Sequence, residues 1–161
     1  EKIYPEKYFI YFFKGLIELR KGNVDQASDL FQRAEPLQPS SEEQSLVAFY
    51  QAYARTQNQK WDEALTHLHR AISLSSDNHA YYNLRGVTYF QLREYSKAAS
   101  DFENALNIDR GSATDLANLG LCHKYMNNPD QAKDLLEKSL ELDPSLQFVR
   151  NQLQELENSN F

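Results

Sequence analysis

The sequence predicts an all-α chain of stacked helical hairpins, and three observations predict it. Between His79 and Ser112, Tyr82, Gly86 and Tyr89 recur at the i, i+4, i+7 spacing of one helix face, and Ala98, Phe102 and Ala105 repeat that spacing on a second helix. Leu92-Arg93-Glu94-Tyr95 lies between them, short and polar enough for a tight helix–helix turn. The whole pattern then recurs. A step of 34 residues carries Gly86 to Gly120, with Leu116, Leu119, Ala132, Leu136, Ser139 and Pro144 in place. The same step backwards meets Ala52, Trp61, Ala64, Leu68, Ala71 and Leu74. A lone hairpin leaves half its apolar surface wet, whereas neighbouring copies cover one another.

The first helix is expected to start near Pro5, tolerated there because its missing N–H would be unpaired anyway, after a lead-in of residues 1–6. It is the most apolar stretch of the chain: Tyr8, Phe9, Ile10, Tyr11, Phe12, Phe13, Leu16, Ile17, Leu19. Tyr8, Tyr11, Phe12 and Gly15 are expected to face the second helix, while Phe9, Phe13 and Leu16 point elsewhere. A helix apolar on two faces calls for cover on both, whether from this chain, from an upstream segment or from a ligand. Arg20-Lys21-Gly22 closes it, with cations in the last turn and glycine beyond. Val24 to Leu37 is the partner helix, carrying Ala27, Phe31, Ala34 and then Pro39, and Glu35-Pro36 ends or bends it. Ser40-Ser41-Glu42-Glu43 reads as a capping box, opening a helix that contains Leu46, Phe49, Tyr50, Ala52 and Tyr53.

Trp61 to Leu74 forms the next partner helix, and Ser75 to Asn78 the turn into the His79–Ser112 hairpin. Ser112 followed by Asp115 is an N-cap pair. Asn128-Pro129-Asp130 marks a start with N-cap, proline at the first helical position and an acid in the first turn; Asp143-Pro144-Ser145 repeats the idea. The last helix then has Leu146, Val149, Leu153 and Leu156 on one side and Arg150, Asn151, Gln154 and Glu155 on the other, as a terminal cap requires. The end, residues 158–161, is expected to fray.

A period of about 34 residues with aromatic–Gly–aromatic, then Ala-x-x-x-Phe, then Ala and Pro, resembles the tetratricopeptide repeat family. The resemblance implies one domain over residues 1–161, with repeats at 8–41, 45–78, 79–112 and 113–146 and a capping helix at 145–157. The fold it implies is a right-handed superhelical solenoid.

Composition narrows the function classes. Seventeen Lys and Arg against 23 Asp and Glu make a net charge of −6, with no block of like charge. That argues against nucleic-acid or anionic-membrane partners, which call for clustered cations. No apolar run reaches the roughly 20 residues of a membrane span, and no signal peptide is visible. The single Cys122 forms no internal disulfide; a reducing compartment is compatible, as is any other, and a cytoplasmic setting is favoured. The first residue is Glu rather than Met, compatible with a processed form or a fragment.

No catalytic, metal or cofactor site is expected. His67 and His69 lie about 200° apart on a helix and cannot share a metal; His79 belongs to no ligand pattern, and His123 takes the packing position of Tyr89. Cys122 and His123 are adjacent, so they do not face each other. Arg85, where the family prefers Leu, is expected to pair with Asp101 across the hairpin. Lys14 and Arg55 also replace apolar pattern residues.

In this family the first helix of each hairpin lines the inner curve, where partner segments lie. By position that implies Phe9, Phe12, Leu16 and Leu19, then Leu46, Phe49, Tyr53 and Thr56, then Ala80, Asn83, Val87 and Phe90, and finally Thr114, Ala117, Asn118, Leu121, Lys124 and Tyr125. The function implied is a non-enzymatic scaffold or adaptor that binds a peptide or helix of a partner protein, with Asn83 and Asn118 bonding the partner backbone. The alternatives are self-assembly through the apolar first helix, or a substrate-docking arm of a larger enzyme. Some relatives hold chaperone C-termini with a two-carboxylate clamp of Lys, Asn and Arg. The matching places here are Phe12, Leu16, Tyr50, Ala80 and Leu84, or one repeat on, Phe49, Tyr53, Leu84, Thr114 and Asn118. Neither set supplies the cations.

Overall fold

The computed structural model describes residues 5–37 and 40–158; residues 1–4, Pro39 of the first repeat pattern and 159–161 of the expected fraying end lie outside them. Among the described residues there are nine α-helices: α1 Pro5–Arg20, α2 Val24–Ala34, α3 Ser41–Gln57, α4 Trp61–Leu74, α5 His79–Gln91, α6 Tyr95–Ile108, α7 Ala113–Tyr125, α8 Pro129–Leu142 and α9 Gln147–Asn158. The chain divides into two compact units, the first ending at Tyr81 and the second beginning at Tyr82.

In the first unit, Ala27, Phe31 and Ala34 of α2 form a core with Tyr8 and Phe12 of α1 and Val47 of α3. Phe31 occupies the space that a side chain at Gly15 would need: a Cβ there would lie 2.6 Å from the ring. Glu35–Leu37 tightens into a 3-10 turn at Pro36, as the loss of the Pro N–H dictates. Glu35 ties that turn to its neighbours, accepting from Gln51 at 3.1 Å and pairing with Arg70. Ser40 caps α3 with the full capping box, its Oγ accepting from Glu43 N–H and the Glu43 carboxylate from Ser40 N–H. A second cluster joins Ala48, Ala71 and Tyr81, whose hydroxyl lies 2.9 Å from Ser45 Oγ.

In the second unit, Ala98 and Phe102 of α6 pack with Leu119 and Cys122 of α7, and Ala117, Ala132 and Leu136 with Val149 and Leu156 of α9. The expected cap helix has its apolar stripe inward and Arg150, Asn151, Gln154 and Glu155 exposed. Its start differs from expectation. The Asp143 carboxylate takes the N–H and hydroxyl of Ser145, stabilising a turn there, so the helix begins at Gln147. Ser112 Oγ does cap α7 through Asp115 N–H, whereas the Asn128 side chain makes no cap bond.

Each turn inside a hairpin carries one residue in the left-handed region: Gly22, Gln59, Arg93 and Asn127, with φ of 81°, 57°, 61° and 62°. The residue after each donates its N–H to a carbonyl five positions back (Asn23 to Glu18, Lys60 to Arg55, Glu94 to Tyr89, Asn128 to His123). That bond satisfies a carbonyl left open at the helix end.

Candidate functional site

The faces implied for partner binding lie on α1, α3, α5 and α7, and the structure sorts their residues by exposure. Phe12 is a core residue: it sits among Tyr8, Phe31 and Tyr50, as its expected direction toward the second helix requires, and its other expected role, on the open partner face, is wrong. Gly15 explains why, because the second helix comes close enough there to enclose the neighbouring turn. Leu16 and Leu19 are half-buried against the same core, and Leu16 does not point away as expected. Ala117 and Thr56 are buried too. Phe49 packs edge-on to Tyr50 and 5.1 Å from the Tyr81 ring. Phe9 and Tyr53 remain exposed.

In the second unit the residues converge. Val87, Phe90, Gln91, Phe102 and Asn118 line a cavity of about 150 Å³ between α5 and α7. Phe90 and Gln91 also line a wider cavity of about 420 Å³ with Arg93, Tyr95 and Tyr125. Phe90 meets Tyr95 and Tyr125 edge-on at 5.3 and 5.4 Å, and those two tyrosines stack at 5.0 Å. Tyr125 keeps 55% of its surface in solvent, which leaves a firmly held aromatic wall with an open outer side. Leu121 is half-buried on α7.

Asn83 departs from its implied role. Its amide donates to Asp115 Oδ1, and Asp115 is fully buried with its other oxygen unpartnered. That carboxylate was legible as a cap residue but not as a buried one; the only sequence signal was Asn83 facing it one repeat earlier.

Three cations of these helices are engaged. Arg85 donates two bonds to Asp101, at 2.8 and 2.7 Å, as its position across the hairpin predicts; those bonds raise the guanidinium pKa above its ordinary value, against the opposing effect of burial. Arg55 lies 3.0 Å from Glu63. Lys124 bonds Glu155 at 2.7 Å and Gln152 at 2.8 Å. Lys14 is exposed, and nothing in the structure explains its choice.

His67 is half-buried on α4, and burial first, then the charge of Arg55, holds its pKa below the ordinary value. His123 is half-buried. Cys122 is fully buried, and burial pushes its thiol up to about 12. No described helix is long and apolar enough to cross a membrane.

Hairpins of alternating first and second helices, stacked through Ala-x-x-x-Phe surfaces, define a helical repeat protein. A tetratricopeptide repeat model matches residues 79–145 and a second TPR repeat model residues 52–93. The chain belongs to the tetratricopeptide repeat family, with its all-α solenoid fold.

It is 25% identical over 155 residues to the TPR repeat-containing protein MJ1428 of Methanocaldococcus jannaschii, covering 92% of this chain and 27% of that protein. It is 31% identical over 86 residues to the Hsp70-Hsp90 organizing protein of Triticum aestivum, covering 53% of this chain and 15% of that one. The chain thus spans only a minor part of the length of these relatives.

Among solved structures, MamA superposes with a TM-score of 0.85 at 18% identity, over 96% of this chain and 83% of that one. The first TPR of Spaghetti (RPAP3), bound to an HSP90 peptide, superposes with a TM-score of 0.72 at 22% identity, over 74% and 95%. These likenesses show the fold.

Proposed function

We propose that this chain is a non-enzymatic protein-interaction module that takes a peptide segment of a partner on the α5/α7 face of its second unit. The observation that carries this reading is the sharing of Phe90 by two adjoining cavities, one edged by Asn118 and the other walled by Tyr95 and Tyr125. An apolar side chain of the partner fits against Val87 and Phe90, its neighbour stacks on Tyr125, and the Asn118 and Gln91 amides bond the backbone between them. Asn83, its amide given to Asp115, contributes rigidity instead.

The wheat relative's name and the HSP90 peptide on the Spaghetti domain point to chaperone tails as one ligand class. The residues here favour a different one. Arg85 and Lys124 each face a carboxylate of their own chain, so an acidic tail would have to displace an existing partner at both, and Arg93 at the wider cavity is a single charge where a two-carboxylate clamp needs several. An apolar or aromatic segment of low charge suits the site better.

A displayed peptide library selected on the whole chain, followed by fluorescence anisotropy on the best peptides, tests the reading. Tyr125→Ala should weaken binding at least about tenfold, which is about 1.4 kcal/mol, in a protein that circular dichroism shows to be folded. Full affinity in that variant removes the α5/α7 face as the site. Selection of peptides ending in acidic residues, with affinity lost on amidating the terminal carboxylate, replaces this ligand class with the chaperone-tail class.

A further inference from the structure

Ile10 and Ile17 of α1 occupy positions that every later copy of the repeat buries. Counted from Gly15, Ala52, Gly86 and Gly120, Ile10 aligns with Val47, Tyr81 and Asp115, which are 1%, 2% and 0% exposed. Ile17 aligns with Ala54, Thr88 and Cys122, at 1%, 0% and 0%. Helix α9 keeps the register, with Val149 and Leu156 at 0% and 8%. Ile10 and Ile17 themselves are 51% and 50% exposed, flanked by Phe9 at 45% and Phe13 at 55%.

Within each unit, the preceding hairpin covers the aligned residues. Leu46, Val47 and Tyr50, aligned with Phe9, Ile10 and Phe13, pack on Tyr8, Phe12, Ala27, Phe31 and Ala34, and the Tyr50 ring stacks on Phe31 at 5.7 Å. Cys122 packs on Ala98 and Phe102. Val149 and Leu156 pack on Ala132 and Leu136. The covering helix presents Ala-x-x-x-Phe or Ala-x-x-x-Leu each time.

We propose that the face of α1 formed by Phe9, Ile10, Phe13 and Ile17 receives the second helix of a further tetratricopeptide hairpin, upstream in the same polypeptide, through an Ala-x-x-x-Phe or Ala-x-x-x-Leu stripe. This goes beyond the peptide site and does not depend on it.

The alternative occupant, a second copy, fits less well. Four half-exposed side chains fall far short of the roughly 800 Å² that each partner gives to a stable dimer. A tethered hairpin needs no such area, because tethering supplies an effective concentration on the order of millimolar. Head-to-tail stacking of copies is also less favourable, since beside Phe148 helix α9 presents Arg150, Asn151, Gln154 and Glu155 outward, and an apolar face would desolvate these polar groups. The M. jannaschii relative carries its matching stretch within a protein of which it is 27%.

The test compares thiol labelling of Ile17→Cys in the 161-residue chain with the same variant in the full reading frame, Cys122 serving as the slow internal reference; circular dichroism confirms folding, and Phe13→Cys is a second probe. Labelling that is fast in the 161-residue chain and at least about a hundredfold slower in the full polypeptide supports the proposal. Equal rates overturn it, as does a reading frame with no helical hairpin before α1. Protection already present in the 161-residue chain and lost on dilution overturns it in favour of a second copy.

Discussion

A Cβ added at Gly86 would sit 2.9 Å from Cε1 of Phe102. The aromatic ring on α6 thus occupies the place of the side chain that α5 lacks. The same exchange appears 16 residues apart as Gly15 with Phe31 and Gly120 with Leu136, and the remaining repeat carries Ala52 and Leu68 at that spacing, both fully buried. Gly86→Ala should therefore cost about 1–3 kcal/mol by overpacking, and Phe102→Leu a comparable amount by leaving a void. Together they recreate the Ala52/Leu68 combination, so the double variant should lose clearly less than the sum. Urea denaturation of the four proteins measures this; strict additivity would show that the two residues do not share one space.

The left-handed turn residues offer a second check. An L-residue in that region costs about 1–2 kcal/mol, and glycine returns about 0.5–1 of that through its unfolded-state entropy. Gln59→Gly and Arg93→Gly should each raise stability by about 0.5–1 kcal/mol. Asn127→Gly should change little, because asparagine tolerates this region. Gly22→Ala should lower stability. A loss of stability in Gln59→Gly would mean that its side chain contributes more than its backbone costs.

The hairpins were legible because packing residues must recur wherever backbones recur, and Arg85 with Asp101 was legible because both flank the Gly86–Phe102 contact. Gln59 and Arg93 were not, since neither residue type signals positive φ; the turn is imposed by the two helices it joins. Phe12 carried two expectations, toward the second helix and toward the partner face, because an aromatic at a first-helix position fits either surface. Only the approach of α2 at Gly15 decides between them. The burial of Asp115 was not legible because its partner Asn83 lies on another first helix rather than within its own hairpin.

The Arg85–Asp101 pair should behave as a unit. The Asp101 side chain is 4% exposed and that of Arg85 18%. Asp101→Ala leaves a mostly enclosed guanidinium without its acceptors and should cost about 2–4 kcal/mol. Adding Arg85→Leu, the residue the family pattern prefers, should recover most of that loss. Thermal melts of the single and double variants decide; a double variant as unstable as Asp101→Ala would show that the cost lies in packing and not in charge.

Cys122 should be inert in the native state. Burial pushes its thiol up to about 12, so at pH 8 almost no thiolate exists, and the sulfur has no access to reagent. Reaction with a disulfide reagent should run at least about a hundredfold slower than in urea and should follow the fraction of opened protein. Rapid native labelling would place Cys122 at the surface and undo the α6–α7 packing.

Phe49 and Tyr53, one turn apart on α3, should separate structure from binding. Phe49 lies against Ala48, Ala71 and Tyr81, with ring contacts of 5.1 Å to both Tyr50 and Tyr81. Truncating it opens a cavity beside the Tyr81–Ser45 hydrogen bond, so Phe49→Ala should cost about 2–3 kcal/mol. Tyr53 is 38% exposed and has no aromatic neighbour among the described ring contacts, so Tyr53→Ala should stay within about 0.5 kcal/mol of the parent. Any affinity lost in Phe49→Ala should then track its unfolded fraction and return at lower temperature, whereas a loss in Tyr53→Ala should persist in a fully folded protein. Chemical denaturation combined with peptide titration at two temperatures distinguishes them. If Phe49→Ala melts with the parent yet no longer binds, Phe49 is a contact residue, and the packing assigned to it here is wrong.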